Sequence, residues 1–462
     1  MATIPLLAIG PNALLSLVGL LHGPDRTVPT PPEDWRQATV DVVIPARNEE
    51  CNIALCLASL ARQTLKPAHI ILVDDGSSDR TIALAEAFCR ANGMELIAIR
   101  RREAIGKTPT IKRQAREFDA DVEFVIDADT VLESPNYLER VVQELYQAVG
   151  IASACGTVLP LRMRDRLALR ETPPVQNFLA QVPDAPLAPR RSAMLRLRQG
   201  ITNLYRETLY VYLQRFVYVG QMVFFGTIIS PVGCAVAYRR KYIKELFDHY
   251  EPLLGDDLTN SEDIFIGFAL LNEGYRNIQL TDVFARSQEP EAKRLPHQLY
   301  LWSSAFLQSC FYFNHLVASP FKALRRWRHQ RETAQRDGAI IAEKRKIQEP
   351  YRQPFGREHT ARYGRPAGWP ILLAMVEKVT FPVVLFTLVL ARWWTGLAWT
   401  VGLEILLSLG VLAIVAPSRR LVHVGMGLLI QPIRYISALL DIVTTLRFAV
   451  DVWIRRSHAW RK

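Results

Sequence analysis

The chain has no C-x-x-C pair. Its six cysteines stand at 51, 56, 89, 155, 234 and 310, so the spacing encodes neither a zinc ribbon nor a redox dithiol. Isolated structural thiols in a reducing cytosol are expected instead. Nucleic-acid signatures are missing too. There is no zinc-finger spacing, no RNA-binding signature, and no basic run interleaved with stacking aromatics outside an apolar context. No nucleic-acid partner is expected, although the chain is basic. The apolar stretch at residues 4–22 lacks the basic n-region of a cleavable signal peptide. Acidic residues are in deficit, 45 against 56 Lys and Arg, which gives a net charge of +11. That balance fits an anionic lipid surface or an anionic substrate.

What is present is unevenly spread. The 462 residues suggest two or three units. Residues 4–22 would just span a bilayer, at about 20 residues per crossing, but Gly10-Pro11-Asn12 interrupts them. Residues 1–36 are thus expected to be a membrane anchor or interfacial helix with a Pro-rich link (Pro29, Pro31, Pro32). A soluble pattern follows. Strands are predicted at Val40–Pro45, Ile70–Val73, Leu96–Ile99 and Phe124–Ile126, with helices over 49–64, 78–92 and 108–118 between them. This alternation predicts an α/β domain with a mostly parallel sheet, over residues 37–296. In such sheets ligands bind beyond the carboxyl ends of the strands.

Residues 161–200 are rich in Arg and Pro and read as an insertion or mobile loop. Residues 203–230 are aromatic, interrupted by Arg206, Glu207 and Arg215, and suit a membrane-surface helix or the wall of an acceptor path. The block 161–230 is therefore set apart as an insertion, acceptor or interfacial region. Residues 297–321 read as a second interfacial region. Residues 322–368 form a basic linker, placed on the cytosolic side. Over 369–462 three long apolar stretches follow, 370–394, 396–416 and 421–446, with Trp393, Trp394 and Trp399 where aromatic belts are expected. The first carries Glu377-Lys378, so its crossing core should begin near 379. The third carries Arg434 and Asp441, so it should lie in the interface or face a bundle interior. If the last two stretches both cross, the tail from Arg455-Arg456 to Lys462 falls outside, against the positive-inside rule. A re-entrant or surface-lying third segment would remove that conflict.

Five groups of residues carry chemistry. Asp127-Ala128-Asp129 ends a strand, and two carboxylates one residue apart can meet a hard divalent cation such as Mg²⁺ or Mn²⁺ bridging to a diphosphate. In isolation a solvated turn is the simpler explanation, and the position after Phe124-Val125-Ile126 is what favours the metal. Asp74-Asp75-Gly76-Ser77-Ser78-Asp79 ends another strand. Asp79 or Ser78 would cap the following helix, whereas Asp74 and Asp75 can accept from a base N–H or help bind metal. Gly106-Lys107 can present an ammonium to a diphosphate, or simply be solvated. Ser261-Glu262-Asp263 opens a helix closed by Gly274. Ser261 is the natural N-cap, and Asp263 would stand in the first turn, where the helix dipole favours an ionised carboxylate able to act as a general base. Finally, Gln298 can bond phosphate or hydroxyl oxygens, and Trp302, one turn on, can stack on a sugar ring.

In this order the groups resemble the inverting family 2 glycosyltransferases of the GT-A nucleotide-sugar fold. Pro45-Ala46-Arg47-Asn48-Glu49 and Gly233 through Tyr238-Arg239-Arg240 add to the match, which runs from about Val40 to Trp302. The layout of a catalytic domain followed by membrane helices is similar to the branch of cellulose, hyaluronan, chitin and poly-N-acetylglucosamine synthases. The resemblance implies that Ala46, Glu49 and Asp75 surround the nucleotide, with Asp74 nearby. It implies that Lys107 meets the diphosphate, Asp127 the donor and Asp129 the metal. Asp263 would be the general base, Gln298 would lie near the diphosphate, and Trp302 at the acceptor sugar, with Glu262 on the acceptor and diphosphate side. Gly255-Asp256-Asp257 is a rival position for the base, but the eleven residues from Asp263 to Gly274 favour Asp263. One departure stands out: where the processive synthases have Q-x-x-R-W, this chain has Leu301, and His297 or Arg294 are the nearby basic residues.

The expected reaction is a metal-assisted single displacement on a UDP- or GDP-sugar, inverting the anomeric centre. Polymer synthesis on a polysaccharide acceptor is the leading expectation, and transfer of one sugar to a lipid acceptor the alternative. The expected setting is the lipid bilayer, as an integral protein of a bacterial inner membrane with its catalytic domain cytosolic. An accessory export subunit would fit the synthase branch. A transporter is disfavoured, since three or four apolar segments make a poor pore and leave the carboxylates unexplained. A dead scaffold is disfavoured because every expected carboxylate is present.

Overall fold

The computed structural model describes residues 10–23, 34–189, 192–255, 261–344, 351, 353–416 and 419–455. Among these residues eight strands form one sheet: β1 (Val40–Ala46), β2 (His69–Asp74), β3 (Ile97–Arg100), β4 (Val122–Ile126), β5 (Thr130–Leu132), β6 (Ile151–Pro160), β7 (Ala235–Arg239) and β8 (Arg276–Ser287). Their order is β3-β2-β1-β4-β7-β6-β8-β5. Only β7 and β5 run against the rest. The expected α/β class with a mostly parallel sheet is therefore found. Runs such as Val42-Val43-Ile44 are buried on both faces, as parallel strands covered by helices require. Helices Ile53–Ala61, Thr81–Asn92 and Lys107–Glu117 fill the crossovers. Each starts seven residues after its strand ends, so the loops beyond β1, β2 and β3 gather at one edge.

Antiparallel β7 decides the site's layout. It pairs Ala235 with Ile126, and the Asp127 N–H donates to the Cys234 carbonyl (3.0 Å). The chain before β7 is thereby laid beside the end of β4. Tyr137 locks the arrangement from below. Its hydroxyl donates to the Ala235 carbonyl (2.8 Å) and accepts from the Gly156 N–H (2.7 Å).

Residues 161–200, expected as an insertion or mobile loop, are largely helical. They hold helices Met163–Arg170 and Pro173–Gln181 and the start of Ala193–Tyr212. Proline stands at the first positions of the second helix, where no N–H is needed, so the Pro content marks a helix start and not disorder. The 203–230 stretch, expected at a membrane surface or as the wall of an acceptor path, is too buried for the first of these. It continues Ala193–Tyr212 through a π-turn at Leu213–Val217 into Tyr218–Phe225, and nearly all of 205–218 is buried. Helix Leu295–Tyr312 is likewise buried from Ser303 to Cys310.

Among the described residues two helices, Gly368–Leu390 and Trp394–Val415, are long and apolar enough to cross a membrane. Arg420–Leu429 and Gln431–Ile454 make a third candidate bent by 55°. Pro432 stands at the start of the second half, at the bend. Arg434 and Asp441 face inward. Arg434 pairs with Glu404, and Asp441 meets Lys378 at 3.2 Å. Pairing inside a bundle is the expected fate of ionisable groups on such helices. The N-terminal helix, Pro11–His22, has 12 described residues, short of a crossing. It packs on Tyr218–Phe225 so closely that a Cβ on Gly19 would stand 2.7 Å from the Gly220 Cα. Residues 4–9, the Pro29–Pro32 link, Asp256, Asp257, Arg345, Lys346 and the tail from Arg456 lie outside the described residues.

Candidate active site

Two clefts open at the carboxyl edge of the sheet and meet at Lys107, Asp127 and Asp129. The first, about 280 Å³, is bounded by the ends of β1 and β2, with Ala46, Glu49 and Asp75 on its walls. The second, about 320 Å³, is bounded by Gly233, Asp263, Glu289, Gln298 and Trp302. Lys107 stands between them at the first position of its helix. Gly106 before it has φ +97, a conformation that glycine adopts without strain.

The Lys107 ammonium reaches the Asp127 Oδ1 (2.6 Å), the Glu262 Oε1 (2.9 Å) and the Gly233 carbonyl (2.9 Å). Burial alone would lower its pKa. The Asp127 and Glu262 carboxylates outweigh that and raise it well above the ordinary lysine value, so it stays charged.

Asp75 builds this loop. Its carboxylate accepts from the Ile105 and Gly106 N–H groups (2.9 and 2.8 Å) and from Arg101 (3.1 Å). Burial pushes the carboxyl up, but these donors hold it below the usual range. Asp75 thus lines the first cleft while aiming Lys107. Glu49 is held by Asn52, which donates to its Oε2 at 2.5 Å. Asp74 is placed differently from its neighbour. It accepts from the Ser77 N–H (3.3 Å) and lines neither cleft. Asp79 caps its helix from one position outside the N-cap, accepting from the Thr81 N–H (3.0 Å).

Asp263 sits on the wall of the second cleft. Its Oδ2 accepts from the Gly233 N–H (3.1 Å), and its Oδ1 from the Ser261 hydroxyl (2.5 Å) and the Ile264 N–H (2.8 Å). Ser261 is at the N-cap position as expected, but its hydroxyl bonds this carboxylate and not a backbone amide. Burial would raise the Asp263 carboxyl. The Ser261 hydroxyl, Lys107 and the Ile264 amide each act against that and favour the ionised form. Gly274 closes the helix in the left-handed region, φ +95, as its sequence position implied. Gly233 is needed for a different reason. A Cβ there would lie 2.7 Å from the Asp263 Cβ. We expect Gly233→Ala to displace this carboxylate and cut turnover by about 100-fold, the order that a misplacement near 1 Å costs. The melting temperature should change little. Unchanged turnover in steady-state kinetics would show that Asp263 need not stand where it does.

Asp127 and Asp129 are raised for the same first reason, desolvation in the cleft, and Lys107 partly offsets it for Asp127. Asp129 is pushed well up, with Asp127, Glu49 and Glu289 adding to the burial. Its Oδ1 accepts only long bonds, from Thr130 (3.3 Å) and Ser287 (3.4 Å). An oxygen-only set that repels itself suits a hard divalent cation. Among the described residues no group of three or more His, Cys, Asp or Glu side chains could hold a metal by itself. Asp129, with Asp127 beside it, thus fits an ion that takes its other ligands from a diphosphate and water, as Mg²⁺ commonly does.

Sequence reasoning missed Arg206, which it noted only as an interruption in an aromatic run. Its side chain is wholly buried. The guanidinium donates to the Gln298 Oε1, lies 4.3 Å from the Trp302 ring centroid and stands 3.4 Å from the Glu289 carboxylate. Gln298 and Trp302 therefore do meet a guanidinium, but it comes from helix Ala193–Tyr212 and not from the position of Leu301. Neither His297 nor Arg294 takes that place. A buried arginine ninety residues away has no local spacing signal to betray it. Glu289 carries no motif either.

Residues 41–247 match the sequence model of Glycosyl transferase family 2. The match covers 207 of the 462 residues, and over them the chain is similar to glycosyltransferases of that family. An undecaprenyl-phosphate 4-deoxy-4-formamido-L-arabinose transferase of Serratia proteamaculans (strain 568) is 32% identical over 122 residues, 25% of this chain and 37% of that one. The enzyme of the same description from Pseudomonas paraeruginosa (strain DSM 24068 / PA7) is 32% identical over 117 residues, 24% of this chain and 34% of that one. The chain thus spans about a third of the length of these curated relatives. Among solved structures, a mannosyltransferase from Pyrobaculum calidifontis with GDP-Man and Mn²⁺ aligns over 96% of this chain and 94% of its own at 14% identity and TM-score 0.48. Glucosyl-3-phosphoglycerate synthase from Mycobacterium tuberculosis aligns over 60% and 79%, at 18% identity and TM-score 0.35.

Proposed function

We propose that this chain transfers one sugar from a nucleoside-diphosphate donor to a lipid-linked acceptor, with inversion at the anomeric carbon. The observation that carries the reading is the meeting of the two clefts at Lys107, Asp127 and Asp129, with Asp263 on the far wall. The first cleft would take the nucleotide between Ala46, Glu49 and Asp75. Lys107 would leave its carboxylate partners for the diphosphate oxygens, which offer it more negative charge. Asp129, with Asp127, would hold Mg²⁺ or Mn²⁺, which when bound supplies positive charge against the departing diphosphate. Asp263 would take the proton from the acceptor hydroxyl as that oxygen attacks the anomeric carbon opposite the leaving group. Gln298 and Glu262 would border the diphosphate and acceptor.

Two observations favour a lipid acceptor over a growing polysaccharide. The wall helix of the second cleft, Leu295–Tyr312, is tied to the apolar helices. Lys378 donates to the Ser303 hydroxyl (2.9 Å) and pairs with Asp441, and Arg447 lies over the Tyr300 ring. The curated relatives are named for undecaprenyl phosphate. The balance thus moves from polymer synthesis, the leading expectation from the sequence, to single transfer. Trp302 would then orient one sugar or headgroup. We place the protein in a bacterial inner membrane with this site cytosolic.

The test is a donor screen on the detergent-purified full chain. UDP- and GDP-sugars are supplied with a bacterial lipid extract, with Mn²⁺, Mg²⁺ or EDTA, and nucleoside diphosphate release is followed. One donor should be turned over, only with metal, to a lipid bearing one sugar, and Asp129→Asn should abolish the metal response. A ladder of saccharides would overturn single transfer. No turnover of any donor by folded protein would overturn the donor class.

A further inference from the structure

The segment from Ser319 to Ala334 has two faces with different fates. Lys322, Arg326 and His329, at i, i+4 and i+7, lie on one side of helix Ala323–Lys344 and its preceding turn. They clamp it to helix Arg357–Tyr363. Lys322 donates to the Ala361 carbonyl (2.8 Å), Arg326 to the Tyr363 carbonyl (3.3 Å), and the His329 ring stacks on Tyr363 with centroids 4.0 Å apart. The opposite side carries Phe321, Leu324, Trp327, Arg328 and Arg331. The three apolar members are 81%, 59% and 47% exposed, and the flanking Arg325 is exposed as well. The Arg331 guanidinium lies 3.9 Å from the centre of the Trp327 ring. Over residues 319–334 there are five basic residues and one acid, Glu332.

The position of this face names its occupant. Helix Arg357–Tyr363 leads directly into the apolar helix Gly368–Leu390. Cβ atoms on Gly364 and Gly368 would stand 2.8 and 2.6 Å from Ser319 atoms, so the patch begins where that candidate span begins. Trp369, in the first turn of the span, is 40% exposed. Tryptophan and leucine beside arginines whose stems lie along apolar surface are the composition of a helix resting in the headgroup layer.

We infer that Phe321, Leu324 and Trp327 enter the bilayer boundary next to this span, and that Arg325, Arg328 and Arg331 bind anionic lipid headgroups there. The surface would hold the catalytic domain at a fixed tilt to the membrane from which its acceptor comes. It touches neither cleft, so it stands or falls apart from the catalytic reading.

Hydrogen exchange on the full chain in nanodiscs tests this. One set is phosphatidylcholine alone, and the other contains about a third phosphatidylglycerol, a proportion chosen to give a surface potential of physiological order. Amide exchange over 321–334 should slow in the anionic set and not elsewhere on the catalytic domain. In an Arg325→Gln/Arg328→Gln/Arg331→Gln variant that difference should vanish, at roughly fivefold in lipid affinity per arginine, while the clamp residues keep the helix folded. Native mass spectrometry should find fewer phosphatidylglycerol molecules retained by the variant. Equal exchange in the two lipids, or a difference that survives the triple substitution, would overturn the assignment. Protection that appears only when cell lysate is added would assign the face to a protein instead.

Discussion

Asp263→Asn should retain donor binding and lose roughly 10²–10⁴-fold in sugar transfer, the usual contribution of a positioned proton acceptor. The reason lies in what the amide can and cannot replace. Its oxygen can still accept from the Ser261 hydroxyl and the Ile264 N–H, as Oδ1 does now. Its NH₂ then faces the Gly233 N–H, where Oδ2 accepted, so two donors oppose one another. One buried donor left unpaired costs about 1–3 kcal/mol, which lowers the melting temperature modestly without unfolding the domain. Donor affinity by calorimetry should stay within a few-fold of wild type, because the first cleft contains none of these atoms. Proton removal by contrast is lost outright. A transfer rate within tenfold of wild type would mean that another group, or the acceptor's own ionisation, does this work.

How much of this arrangement could be read from the chain follows from the range of the forces involved. The β1, β2 and β4 strands carry short apolar, largely β-branched runs (Val42-Val43-Ile44, Ile70-Ile71 and Val125-Ile126), and each is followed by the polar residues that the fold collects at one edge. Those signals are local, and they fixed the α/β class and the first cleft. Lys107 and Asp127 were recognisable separately, but their ion pair depends on antiparallel β7 laying Gly233 beside Asp127, which no local pattern encodes. Residues 161–200 misled because proline and arginine suggest a loop when read by composition, whereas proline at a helix start is compatible with order. Asp74 and Asp75 look alike in sequence. The strand's pleat sends them to opposite sides, so one makes a turn and the other aims the lysine. The aromatic stretch 203–230 reads from its sequence as a membrane-surface helix or the wall of an acceptor path. Its buried arginine had a partner in Glu289, a residue without any motif, and an arginine whose partner is distant is indistinguishable from one facing water.

That pair gives the second large effect, on stability. Arg206 is fully buried beside a Glu289 that is itself 4% exposed. Removing one member of a buried pair strands the other charge, and such breaks cost about 3–5 kcal/mol, whereas replacing both is often nearly neutral. Arg206→Met should therefore lower the melting temperature by roughly 10 °C. It also removes the donor to Gln298 and the cation over Trp302, so transfer should fall further than the loss of folded protein explains. The double variant Arg206→Met/Glu289→Gln separates the two effects. The neutral glutamine no longer needs a cation, so most of the lost stability should return. Gln298 and Trp302 still lack their guanidinium, so turnover should not return with it. Full recovery of both would reduce Arg206 to a counter-ion for Glu289. Recovery of neither would mean that the methionine fails to fill the space, and that packing sets the cost. Stability restored with transfer still depressed is the expected result, because the guanidinium holds Gln298 and Trp302 in place as well as neutralising a carboxylate.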